Sequence, residues 1–443
     1  MNKELWLKAA AEKGFESFEI YQAFHAEKTY SWFDGQLDSF VTSSVTGTAL
    51  RGIYNKKMVG FSTEKDDDSA VVKVLDAMEQ QAGAITSDDE AVIFPPFEDA
   101  PEPAASSRKW VRPDAAQVKE LLSQIEKKIL AYDPAIRQVS FLQWTEQTDS
   151  RQITNSLGMR AEDTGYAQVL VAGAAAVREG EVKDSYLEEV IEDLAGFDAD
   201  GFVKKLCEDT LAKLGAESVP SGQYRVIFKN EAMTSLFAAF SDIFSGERIG
   251  KGISPLAGKV GEAVFSEVIN VVDDPRCDKT VRLMNYDDEG HPTAKKTVVD
   301  RGVFTTVLHS SRSAARMNTK STGNGFKSSY ASAVDVRPMN CCILPGAKTL
   351  EEMCGEMGDG IVITALAGLH AGLDHVTGDF SLQCSGYLVK DGRRDRSVTL
   401  ITVAGNYLDM MKRAVCAGND LDWKYYTIAC PSVAFAGCAI SGE

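Results

Sequence analysis

Residues 368–392 concentrate the side chains that can do chemistry. His370 and His375, two of the five histidines, stand with Asp374, Asp379 and Cys384 among Gly368, Gly372, Gly378, Gly386 and Gly392. Imidazole and carboxylate so close in sequence can form a His–Asp acid–base pair or share a metal ion. The glycines would let the backbone take positive φ and approach a ligand closely. The same stretch also reads as a tight connection between the apolar run 361–366 and a β-hairpin. Its spacing matches no standard zinc pattern. His370 and His375 would face opposite sides of a strand and lie about 140° apart on a helix, so only an irregular turn would aim both at one ion.

Other candidates are weaker. Residues 246–252 (Gly-Glu-Arg-Ile-Gly-Lys-Gly) superficially suggest a phosphate loop. They have one residue too few between the glycines, a glycine where Ser or Thr should bind magnesium, and a helix before them instead of a strand. A loop after a helix is expected there. Asp273-Asp274 and Asp287-Asp288-Glu289 could serve acid–base or metal roles, but solvated turn residues are the expectation. Residues 310–312 and 321–325 read as loops with no base in reach of their hydroxyls. No histidine is followed by glutamate, and the helix at 230–244 offers only Glu231 and Asp242. A zinc-peptidase helix is thereby excluded on residue types.

The elements that must position these residues fall into three parts. A helix at 5–13, stopped by Gly14, precedes strand-like runs at 17–24, 29–33, 36–41, 48–54 and 58–62. Asp34-Gly35 is a hairpin signal. A helix at 69–84 carries Val71, Val74, Leu75 and Met78 on one face. Residues 87–113 are acidic and hold five of the thirteen prolines, the composition of an exposed linker. Asp114 caps a helix, strands follow at 138–145, 151–154, 167–177 and 182–187, and a helix at 202–214 closes a second helix–meander–helix unit. After Pro220-Ser221-Gly222 come a strand at 224–229, the amphipathic helix at 230–244 and a β-rich remainder. The expected architecture is α+β, with domains at 1–86, 114–219 and 220–443 and a linker at 87–113.

Composition narrows the function. A net charge of −17 argues against nucleic acid as a direct partner. The nine cysteines include no Cys-x-x-Cys pair, no apolar run reaches membrane-spanning length and no signal-peptide core opens the chain. A cytoplasmic protein with reduced thiols, away from membranes, is expected.

Taken in order, Phe244-Ser245-Gly246, Lys251-Gly252, residues 259–265, Asp273-Asp274-Pro275, Asp288-Glu289-Gly290, residues 321–324, residues 370–381 and residues 403–406 resemble the TldD/PmbA family, once described as modulators of DNA gyrase. The resemblance covers 220 to the end, and the N-terminal helix–meander pattern agrees with it. It implies curved sheets around a cavity and a cytoplasmic metallopeptidase complex acting on unfolded or modified peptides. In that family the TldD type carries a zinc-binding His-Glu-x-x-x-His helix, and the PmbA (TldE) type lacks it. This chain resembles the PmbA type: no cofactor and no catalytic residue of its own, zinc in a TldD-like partner, or a homodimer. His370, His375, Asp379 and Cys384 become candidates for shaping a peptide cavity. The alternative is an independent homodimeric hydrolase or peptide-binding protein that uses those four residues.

Overall fold

Alternating apolar and polar residues in the N-terminal half build one six-stranded antiparallel sheet instead of two separate ones. Helix α1 (Lys3–Glu12) precedes β1 (Ser17–Phe33), β2 (Gln36–Tyr54), β3 (Lys57–Thr63) and α2 (Val71–Ala84). Helix α3 (Ala115–Tyr132) precedes β4 (Ile136–Asn155), β5 (Arg160–Arg178), β6 (Glu181–Val190) and α4 (Ala199–Leu211). The sheet order β3-β2-β1-β4-β5-β6 joins the two units through antiparallel β1 and β4, with Glu19 opposite Asn155 and Ser31 opposite Gln143. Each unit keeps its own core. Trp6, Phe18, Ile20, Leu75 and Met78 pack under α1 and α2, while Trp144, Leu122, Ile125, Leu170 and Leu206 pack under α3 and α4. The computed structural model describes residues 1–65, 67–86, 92–424 and 426–443.

The strands are longer than expected. Breaks at 25–28, 42–47 and 146–150 do not occur, because polar side chains that suggested loops pair across the sheet. His25 Nδ1 lies 2.8 Å from Asp149 Oδ1, Lys28 Nζ donates to Glu146 Oε1 at 3.0 Å, and Thr29 and Thr145 hydroxyls meet at 3.1 Å. The Asp34-Gly35 turn forms with φ of 49° and 76°, the left-handed pair that a tight hairpin requires. Its tip is pinned to α3, since Glu126 Oε2 accepts from Trp32 Nε1 and Gly35 N, each at 2.9 Å. Asp114 caps α3 as expected, and Gln117 completes a capping box with it.

Residues 92–113 carry no helix or strand and are largely exposed, yet they are tied down; 87–91 lie outside the described residues. Ser107 N donates to Asp278 O at 3.2 Å and Val111 N to Glu192 O at 2.8 Å, so the segment straps both halves.

In the C-terminal half the strands are β7 (Gly222–Phe228), β8 (Val271–Asp273), β9 (Lys296–Asp300), β10 (Val303–Phe304), β11 (Gly325–Phe326), β12 (Asp335–Val336), β13 (Cys341–Ile343), β14 (Gly360–Ala367), β15 (Asp379–Lys390), β16 (Arg393–Asn406), β17 (Ala414–Ala417), β18 (Ile428–Ala429) and β19 (Val433–Ser441). The helices are α5 (Asn230–Phe240), α6 (Gly246–Gly250), α7 (Ser311–Arg316), α8 (Leu350–Met357) and α9 (Tyr407–Met411). Strands β16-β15-β14-β7-β19 close into a barrel through an added β16–β19 pairing. Beside it lies the sheet β10-β9-β8-β13-β18. The expected apolar face of 230–244 forms, and Met233, Leu236, Phe237, Phe240 and Phe244 are all buried, each side chain worth ~1.5–3 kcal/mol. The α-helix itself stops at Phe240 and passes into a 3-10 turn over Ser241–Phe244. Two expected loops are short helices. Gly246–Gly250 packs so closely on His309 that a Cβ at Gly246 would lie 2.2 Å from its ring. Ser310 caps Ser311–Arg316. Among the described residues no helix is long and apolar enough to cross a membrane.

The expectation most clearly overturned concerns Asp287-Asp288-Glu289. These are not solvated turn residues but lie buried where the barrel half meets the six-stranded sheet. Arg151 on β4 donates from Nη1 to Asp288, and from Nη2 to Asp163 Oδ2 at 3.0 Å and Tyr286 O at 2.8 Å. Asp287 accepts N–H groups of Glu289, His291 and Gly325 at 2.9–3.0 Å. Burial, with Glu289 beside it, holds the Asp287 carboxyl well above its ordinary range. Glu289 Oε2 accepts from Ser311 N and Oγ at 2.8 and 2.7 Å. Asp273 is equally buried, paired with Lys296 at 3.0 Å.

Replacing Arg151 by Met leaves two buried carboxylates without their cation and is expected to cost about 3–5 kcal/mol. Lys8→Ala, which breaks an exposed pair with Glu12, should cost under about 0.5 kcal/mol. Urea unfolding checks both; equal midpoints for Arg151→Met and the parent would refute the role given to Arg151.

Candidate functional site

A cavity of about 980 Å³ lies between the two halves. Its walls are β6 and the end of α4 on one side. On the other are the start of α5, β14, the Ser385–Tyr387 part of β15, the start of β16 and the segment before β18. Lys183, Lys213, Lys229, Arg393, Arg394 and Lys424 balance Asp184, Glu188, Asp209, Glu231, Glu351 and Asp422 along it. In a chain of net charge −17 this balance makes the cavity a neutral enclave.

One wall offers backbone. Strand β7 pairs with β14 only as far as Phe228 opposite Ile363, and Lys229 N then donates to Ile363 O at 2.9 Å as the chain turns into α5. Beyond that point residues 364–367 pair with β15 on one side and with no strand on the other among the described residues. Thr364 and Ala365 face the cavity there. An open strand edge in a cavity can bind extended peptide by main-chain hydrogen bonds, whatever its side chains.

The first turns of α5 form the cavity floor. Residues 230–235 read Asn-Glu-Ala-Met-Thr-Ser, one carboxylate with no histidine beside it. Glu231 is tied from three directions: Lys229 Nζ at 3.1 Å, Lys424 Nζ at 3.2 Å and Lys205 Nζ, from α4, at 3.7 Å. Burial alone would raise this carboxyl, but the three ammonium groups overcome it and bring it down to about 2. A carboxylate held so acidic is a poor proton acceptor near neutrality. Its neighbours are also occupied. Asn230 Nδ2 donates to Asp420 O at 3.1 Å, Ser235 Oγ to Glu231 O at 2.9 Å, and Cys430 N to Thr234 Oγ1 at 2.9 Å. Burial keeps the Cys430 thiol protonated, far above its usual range. A zinc ion needs deprotonated or neutral nitrogen, sulfur and carboxylate donors. An amide, a hydroxyl, a protonated thiol and a carboxylate ringed by lysines do not fit it. Among the described residues no cluster of three or more His, Cys, Asp or Glu side chains could hold a metal ion.

The four residues singled out in the sequence are not brought together. His370 and Asp379 are exposed; Asp379 accepts from Thr377 Oγ1 and Asn406 Nδ2, both at 3.0 Å, as part of the turn entering β15. His375 lies beside Phe240, with Nδ1 3.7 Å from Asp242 Oδ1. Cys384 is buried in the barrel wall, and burial pushes its thiol up to about 12. The cavity is lined by their chain neighbours Ser385, Gly386, Tyr387 and Gly392, not by these four. What sequence reading missed is Glu231 with its lysines. The Asn-Glu-x-x-x-Ser frame was readable, but nothing in the sequence brings Lys205 and Lys424 to it.

The model of the PmbA/TldA metallopeptidase C-terminal domain matches residues 221–442, and that of the central domain matches 108–214. The metalloprotease PmbA of Escherichia coli O157:H7 is 26% identical over 358 residues, 81% of this chain and 75% of its own length. A Thermotoga maritima structure described as a candidate modulator of a DNA gyrase superposes with a TM-score of 0.87 at 26% identity, covering 99% of both chains. TldE from Thermococcus kodakarensis shares the fold, with a TM-score of 0.86 at 23% identity over 99% of this chain and 100% of its own.

Two outcomes are expected from this geometry. Glu231→Gln should destabilise the chain by about 1 kcal/mol at neutral pH, because the lysines lose their counter-charge. Since the folded carboxyl titrates below its ordinary value of 4.5, the difference from the parent should persist above that pH and vanish as pH falls towards 2. Thermal melts across pH 2–7 check this. In native protein, Cys277 and Cys416, the half-buried thiols, should react with a thiol reagent before the other seven, Cys384 included. Early labelling at Cys384 would contradict its placement.

Proposed function

This chain belongs to the PmbA/TldD metallopeptidase family, and from that premise we propose that it is the PmbA/TldE-type subunit, which holds peptide while a TldD-like partner supplies zinc and cleavage. The observation that carries this reading is Glu231. At the one helix where the family's zinc pattern would sit, the glutamate is neutralised by Lys205, Lys229 and Lys424, and neither neighbouring position carries a metal-binding side chain. The substrate is an extended peptide, unfolded or modified, bound along residues 364–367 in the charge-balanced cavity. The nine unbridged cysteines favour work in a reducing cytoplasm. An independent hydrolase built on His370, His375, Asp379 and Cys384 finds no support in their separate placements.

With an unstructured peptide as substrate, the purified chain alone should show no cleavage, and the mixture with a TldD-like subunit should cleave. Ala365→Trp, which fills the cavity at an exposed position, should lower cleavage by the mixture about tenfold while the partner's zinc content stays unchanged. Cleavage by this chain alone, or a fully active Ala365→Trp mixture, would overturn the proposal.

A further inference from the structure

Six carboxylates line the cavity, and their surroundings differ. Asp184, Asp209, Glu351 and Asp422 are exposed and keep their hydration. Glu231 is held by three lysines. Glu188, on β6 opposite Val171, is the exception. It is half-buried, and among the described residues no ion pair forms on it. Lys424, the cation whose charge acts on it, is already bound to Glu231 at 3.2 Å.

The two oxygens of Glu188 are poorly served. Oε2 accepts from the Tyr426 hydroxyl at 3.4 Å, near the outer limit of a hydrogen bond. Oε1 is buried and accepts nothing among the described residues. Burial holds the carboxyl above its ordinary range, and Lys424 and Tyr426 do not offset it. A desolvated carboxylate that nothing matches is costly to keep. The lysines of this region converge on Glu231 instead, so the matching cation is left to whatever occupies the cavity.

We propose that Glu188 and Tyr426 form a subsite for an ammonium group of the bound peptide, carried by its amino terminus or by a lysine side chain. An ammonium offers donors in several directions. One reaches Glu188 Oε2 and another the Tyr426 oxygen, the two acceptors lying 3.4 Å apart on the cavity wall. A guanidinium fits less well, because its fork needs both carboxylate oxygens and Oε1 is shut away. A divalent metal finds too few ligands in one carboxylate and a phenol. Glu188 comes from the six-stranded sheet and Tyr426 from the barrel half, so the ligand's charge is held between the two halves. The subsite rests on the peptide-holding reading above and names the peptides that reading favours.

The test is calorimetric titration of the full chain with three short peptides of alanine, valine and serine, all amidated at the carboxyl end. One has a free amino terminus, one is N-acetylated, and one is N-acetylated with a single central lysine. At least one of the two ammonium-bearing peptides should bind about tenfold more tightly than the neutral one. Which of them does so identifies the amino terminus or the lysine side chain as the source. Glu188→Gln should abolish that preference and leave the affinity of the neutral peptide unchanged. It keeps an acceptor for Tyr426 and removes an unmatched charge, so the melting temperature should not fall, as it would if Glu188 were structural. Equal affinities for all three peptides, or a preference that survives Glu188→Gln, would overturn the subsite while leaving the peptide-holding reading intact. Binding of none of the three would overturn both.

Discussion

Arg151 is the side chain on which the arrangement of the two halves depends. It sits near the end of β4, in the six-stranded sheet, and its guanidinium reaches Asp288 and the carbonyl of Tyr286 in the barrel half while still holding Asp163 on β5. Charges this deeply buried are tolerable only when each is matched. The matching here fixes more than a pair. Asp288 also accepts Lys327 N at 2.7 Å, and Asp163 also accepts Asn285 N at 3.1 Å, so the Arg151 contacts hold two irregular segments of the C-terminal half against one strand pair. Apolar contact could press the halves together in many ways. A planar guanidinium with assigned acceptors permits few.

The cavity follows from that placement. Its walls come from β6 and α4 on one side and from α5, β14 and β15 on the other, so it exists only while the halves keep their positions. Glu231 ties the same two bodies at the cavity floor, through Lys205 of α4 and through Lys229 and Lys424. At the start of α5 an ion cluster thus binds the halves together. Burial and charge that would elsewhere activate a carboxylate here make it structural.

The sequence made some of this legible and hid the rest for physical reasons. Local signals were reliable: the Asp34-Gly35 turn, the Asp114 cap and the apolar stripe of α5 depend on neighbours within a few residues, and all three form as read. The family was legible because its signatures recur in order along the chain. The long strands were not, since His25, Lys28 and Glu146 look like loop residues until their partners on the next strand are known. Asp287-Asp288-Glu289 looked solvated for the same reason, because Arg151 lies more than a hundred residues away. The stretch at 368–392 shows the limit from the other side. Its residues are close in sequence, yet strand alternation and a turn send them to different surroundings.

The central claim is that Glu231, at the start of the helix on the cavity floor, is held by Lys205, Lys229 and Lys424 and is not free to bind a metal. Elemental analysis of the purified chain after equilibration with excess zinc and removal of unbound ion tests it most directly. The account predicts far less than one zinc per chain, unchanged in Glu231→Gln. One equivalent of zinc per chain, lost in Glu231→Gln, would contradict it.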